Sequence, residues 1–138
     1  MHATLIRRGQ STGNAGIPPH DLSAIELTEL GHDQACAVAA GWREPPALIV
    51  TSPYLRTQQT AAPTIVRFPD VPVEVWPIEE FTYLQPTLWN GTRSAERMPY
   101  LEHYWHEADP DYCDGDGAAS FAALLRRRGG AGAACRFA

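Results

Sequence analysis

The sequence predicts an α/β domain built on a parallel sheet, and three stretches predict it. Thr4-Leu5-Ile6 is a short apolar run leading into Arg7-Arg8-Gly9-Gln10-Ser11-Thr12-Gly13-Asn14, the pattern of a strand ending in a loop. Ala47-Leu48-Ile49-Val50 is continuously apolar, as in a strand covered on both faces. The Thr51-Ser52-Pro53 that follows opens a helical segment, so strand and helix together read as a βαβ building block.

Composition narrows the setting. At 138 residues the chain is one domain, with 44% apolar and 20% charged residues, an ordinary globule. The net charge of −5 argues against a nucleic-acid partner, which needs a basic face. All 16 acidic residues fall in 1–125, whereas 126–138 carry four arginines and no acid, and there is no lysine anywhere. Cys36, Cys113 and Cys135 lie far apart, without metal spacing or a disulfide framework, which favours a reducing compartment. No basic-then-apolar leader opens the sequence and no apolar run approaches the ~20 residues of a membrane span. A cytoplasmic location and no membrane partner are the expectation.

The elements follow in order. In the first loop Gly9 permits a tight bend, Arg7 can grip two oxygens at once, and Ser11 and Asn14 add donors, so the turn suits an anion. Residues 15–27 read as a surface loop. Thr28 caps a helix with apolar positions at Leu30, Ala35, Val38, Ala39 and Trp42, and Gly31 permits close approach of a neighbouring backbone. Ser52 and Pro53 predict the N-cap and first position of a second helix, from Tyr54 to about Val66. Arg56 lies near its start, where the helix dipole is already positive. A bound anion there relieves the repulsion. Val73-Glu74-Val75-Trp76 alternates like an exposed or half-buried strand, and the adjacent acids Glu79 and Glu80 come just after it.

Asn90-Gly91 is a turn, and the helix beyond it reads as interrupted at Pro99, its second half rich in aromatics. His103 and His106 lack a third ligand at helical spacing, so packing and surface imidazoles explain them better than a metal does. Residues 109–117 fail the pattern of a calcium loop, because Cys113 falls where an oxygen is needed. They read as an acidic turn. Ser120 to Leu125 starts a further helix, and Arg/Gly/Ala-rich 126–138 reads as a disordered tail outside a domain of residues 1–125.

Three phrases resemble one family. Leu5-Ile6-Arg7-Arg8-Gly9-Gln10-Ser11-Thr12-Gly13-Asn14 is similar to the signature loop of the histidine phosphatase superfamily, the phosphoglycerate-mutase-like proteins: Leu-x-Arg-His-Gly-Gln/Glu-Ser/Thr-x-x-Asn. Leu27-Thr28-Glu29-Leu30-Gly31-His32-Asp33-Gln34-Ala35 resembles the opening of the family's first helix, and Ser52-Pro53-Tyr54-Leu55-Arg56 begins its second signature. The resemblance implies a three-layer sandwich with a mostly parallel sheet. It further implies a phosphohistidine mechanism of phosphomonoester hydrolysis, no cofactor, and a small phosphorylated molecule or inorganic phosphate as partner. Arg7, Ser11, Asn14 and Arg56 then bind phosphate, and Glu80, with Glu79 as the second choice, protonates the leaving group. One departure matters most. Arg8 stands at the nucleophile position. The resemblance covers about residues 3–125, and the family's later Ser/Gly-His-Gly strand has no counterpart here. The expectation is an impaired phosphomonoesterase; the alternatives are a non-catalytic phosphoester-binding module or a truncated, non-functional product.

Overall fold

The computed structural model describes residues 2–14 and 21–134. Helix α1 (Glu29–Gly41) is followed by strand β1 (Ile49–Thr51), helix α2 (Leu55–Arg67) and strand β2 (Val73–Val75). The short α3 (Pro86–Trp89), then α4 (Ser94–Glu107) and α5 (Phe121–Ala134), complete the order. β1 and β2 pair in parallel, Ile49 against Val73 and Thr51 against Val75. The unit β1–α2–β2 is therefore a parallel crossover, and the α/β class read from the sequence holds.

α1 starts where its cap predicts, with the Thr28 hydroxyl accepting from the Gly31 N–H at 3.1 Å. Its buried positions, Gly31, Ala35 and Ala39, recur every four residues. This stripe of small side chains faces α2, whose own buried positions are Arg56, Thr60 and Thr64. Threonines are tolerable there because their hydroxyls bond locally: Thr60 Oγ1 donates to the Arg56 carbonyl at 2.7 Å. At the far end Arg67 donates to the carbonyls of Ala39 and Trp42, satisfying groups that the end of α1 leaves open.

Several elements differ from the sequence reading. Thr4–Ile6 forms no strand: the described sheet has two strands, and Leu5 is 95% exposed. An apolar run becomes a strand only when a neighbouring edge pairs with it. β1 is half-buried at Ile49 and Val50 instead of covered on both faces, because so narrow a sheet leaves surface open. The N-cap of α2 is Tyr54, with no side-chain cap; Ser52 Oγ instead accepts from the Tyr54 N–H at 3.3 Å and is hydrogen-bonded to the Thr57 hydroxyl at 2.8 Å. α4 runs unbroken through Pro99. α5 continues past the glycines to Ala134, since Arg and Ala favour helix and Arg127 is anchored as described below. Residues 15–20 of the expected loop and 135–138 of the expected tail lie outside the described residues.

A second cluster holds the segment after β2 in place. Phe81 packs edge-on to Tyr104 and Phe121 at ring separations of 5.9 and 6.1 Å, and Tyr83 lies 5.8 Å from Tyr104. Tyr104, Leu84 and Leu124 are buried there. The segment is tied further by the Ala119 N–H, which donates to the Thr82 carbonyl at 2.8 Å, and by Asp114, which accepts from the Gln85 N–H at 2.8 Å.

Candidate functional site

The first loop is fastened to both helices before any ligand is considered. The Gly9 N–H donates to Thr60 Oγ1 at 3.1 Å, and the Gln10 N–H donates to Gln34 Oε1 at 2.9 Å. The Thr28 N–H returns a bond to the Gln10 carbonyl at 2.9 Å, and Ser11 bridges to Leu27. Only glycines fit the crossing: a Cβ on Gly9 would lie 2.5 Å from the Gly31 carbonyl oxygen, and one on Gly31 2.1 Å from that of Gln10. The loop thus lies directly on the first turn of α1.

From this platform Arg8 reaches Glu80, in the segment after β2. Arg8 Nη1 donates to Asn14 Oδ1, which also accepts from Ser11 Oγ at 3.1 Å. Arg8 Nη2 lies 3.4 Å from Glu80 Oε1, and Arg56 Nη2 lies 2.9 Å from Glu80 Oε2. Arg56 is only 3% exposed and is fixed on its other side by the Leu22 carbonyl at 2.6 Å, with its guanidinium 4.5 Å over the Tyr54 ring. Two guanidinium forks therefore converge on one carboxylate, itself 62% exposed, at the mouth of an open cleft of about 240 Å³. Such forks bind oxyanions bidentately.

The expected site residues do not all meet. Arg8, Ser11, Asn14, Arg56 and Glu80 line this cleft. Arg7 does not; it is exposed and borders an adjoining depression with Gln10 and Gln34. Neighbouring side chains of a non-helical segment face opposite sides, so Arg7 and Arg8 do not both turn inward. The same alternation separates the two glutamates. Glu80 faces the cleft, whereas Glu79 turns to α5, where Arg127 donates to its carboxylate through Nη1 and to its carbonyl at 3.1 Å through Nη2.

Arg127 was hidden to sequence reading because the glycines seemed to end the helix before its partner was known. Its signal is spacing: three residues after buried Leu124, it lies on the same helix face. Glu79 and Arg127 are 17% and 22% exposed at the side chain. Arg127→Ala is expected to cost about 1–3 kcal/mol in a denaturant melt, by leaving a half-buried carboxylate without its donor. Tyr54, Tyr83, Trp89 and Arg97 also line the cleft; nothing in their local sequence marked them.

Among the described residues no three His, Cys, Asp or Glu side chains are placed to hold a metal ion. His103 sits 3.7 Å from Glu107 on the exposed face of α4. Among the described residues no helix is long and apolar enough to cross a membrane.

A family model for the histidine phosphatase superfamily (branch 1) matches residues 3–134. The chain belongs to the histidine phosphatase superfamily. The match runs past residue 125, where the sequence reading stopped, and takes in α5. Solved structures agree. A mycobacterial glucosyl-3-phosphoglycerate phosphatase complexed with VO3 is 30% identical, with a TM-score of 0.69, over 91% of this chain and 60% of that one. The alpha-ribazole phosphatase of Shigella flexneri is 20% identical, with a TM-score of 0.70, over 93% of this chain and 63% of that one, and shows the fold alone. The chain thus spans about 60% of the length of these two phosphatases. Comparison with curated protein sequences returned no match.

Proposed function

We propose that this chain is a phosphomonoester-binding domain of histidine phosphatase descent whose hydrolytic chemistry is impaired at Arg8. The observation that carries the reading is the convergence of Arg8 and Arg56 on the Glu80 carboxylate. That carboxylate stands in for a phosphate oxygen pair, and being mostly exposed it can swing aside for one.

Hydrolysis in this superfamily needs a nitrogen lone pair to form a P–N bond while the P–O bond to the leaving group breaks and a carboxylic acid supplies the proton to the departing oxygen. A guanidinium has five N–H donors, no acceptor and a pKa above about 12, so Arg8 supplies charge and no nucleophile. Two forks in one cleft stabilise the bound phosphate without providing the bond-forming step. The free, widely separated Cys36 and Cys113 fit a reducing, cytoplasmic setting.

The test is hydrolysis of p-nitrophenyl phosphate by the full chain. The expected rate is indistinguishable from buffer. Arg8→His is expected to recover little, since among the described residues no imidazole lines the cleft opposite position 8. Turnover by the parent chain in the usual enzymatic range of about 1–10³ s⁻¹ overturns the impairment.

A further inference from the structure

We propose that α5 governs how freely the anion site opens, with Arg127 as a positioning residue that presents Glu80 to Arg8 and Arg56 without itself lining the cleft. This rests on the phosphate-binding reading above and adds the control of that same site.

The segment after β2 is held to α5 on both sides of Glu80. Just before it, Arg127 donates through Nη1 to the Glu79 carboxylate and through Nη2 to the Glu79 carbonyl at 3.1 Å. Just after it, the Phe81 ring packs edge-on to Phe121 at 6.1 Å. Arg127 and Phe121 belong to one helix. Residues 79 and 81 thus turn toward α5, and Glu80 between them faces the other way, onto Arg8 and Arg56. The bond to the carbonyl matters most. That carbonyl belongs to the planar peptide group leading into Glu80, so one guanidinium fixes both a side chain and the backbone from which the next side chain projects.

The two glutamates are held with different firmness. The Glu79–Arg127 pair is largely buried, whereas Glu80 is mostly exposed. Exposed ion pairs contribute little, so the contacts of Glu80 with the two forks do not order the segment by themselves. The grip of α5 does. A carboxylate on backbone that is already ordered loses less entropy when it occupies the forks. Loosening that grip leaves Arg8 and Arg56 more often free for phosphate. Arg127 reaches the site only through Glu79, since it lies outside the cleft lining.

The test is calorimetric titration of inorganic phosphate into the full chain carrying Arg127→Ala or Arg127→Lys, each with and without Glu80→Gln. Arg127→Ala is expected to bind phosphate about 2–5-fold tighter than the parent, the scale of releasing an exposed ion pair. Arg127→Lys keeps the charge but has no fork to span carboxylate and carbonyl together, so a smaller gain is expected. It carries the test if Arg127→Ala does not fold. Beside Glu80→Gln, both changes are expected to leave phosphate affinity unaltered, a dependence that lost stability alone does not produce. A gain that persists beside Glu80→Gln, or unchanged or weaker binding in the Arg127 variants, overturns the positioning role and leaves the phosphate site standing. No phosphate heat from the parent and from Glu80→Gln alike overturns the phosphate site itself.

Discussion

Gly31→Ala is expected to lower the stability of this chain by about 1–3 kcal/mol, although alanine is the better helix former by about 1 kcal/mol. The added methyl would sit 2.1 Å from the Gln10 carbonyl oxygen. That oxygen belongs to backbone held by the Thr28 N–H at 2.9 Å, so no side chain can rotate out of the way. Relief requires the first loop to lift off α1. Lifting breaks the Gln10–Gln34 and Gly9–Thr60 bonds as well, and Arg8 moves with them. Gly41→Ala is the control. Gly41 ends the same helix, and a methyl group added there meets nothing within 4 Å, so the change is expected to be neutral or stabilising by up to about 1 kcal/mol. Urea melts of both variants, with phosphate titrations beside them, read the difference. Equal stability for the two refutes the close crossing of loop and helix.

The second large effect is a pair of substitutions with opposite signs. Arg56→Ala is expected to weaken inorganic phosphate binding by about 10–100-fold, the scale of losing a charge-assisted, two-pronged contact. Arg56→Lys keeps the charge and loses the fork, so it recovers only part. Glu80→Gln works the other way. Its carboxylate now occupies both guanidinium groups, and removing the charge removes the internal competitor. The expected gain is modest, about 3–10-fold, because a carboxylate 62% exposed is weakly held and exposed ion pairs contribute about 0–1 kcal/mol each. A Glu80→Gln variant that binds phosphate less well than its parent rules out the competing-anion account.

What the sequence made legible was largely local. Thr28 caps α1 because capping depends on three residues, and Gly31 permits a close approach because only a missing side chain allows one. The parallel β1–α2–β2 unit was readable from an apolar run, a helix and a second run in order. Features that depend on distant partners were not. Whether Thr4–Ile6 becomes a strand depends on a neighbouring edge, and α5 outlasts its glycines partly because Arg127 finds Glu79, 48 residues away in sequence. In the site, the composition of the first loop and Arg56 pointed to an anion, and both arginine-bearing segments do meet. The choice of Arg8 over Arg7 was not readable, since it depends on which way the segment faces α2.

Titration of inorganic phosphate into the full chain, at low and at high salt, tests the central claim most directly. The account predicts one saturable site with a dissociation constant in the millimolar range or below, weakened by salt and weakened about 10–100-fold in Arg56→Ala. No heat at several millimolar phosphate, or an affinity that Arg56→Ala leaves unchanged, would contradict it.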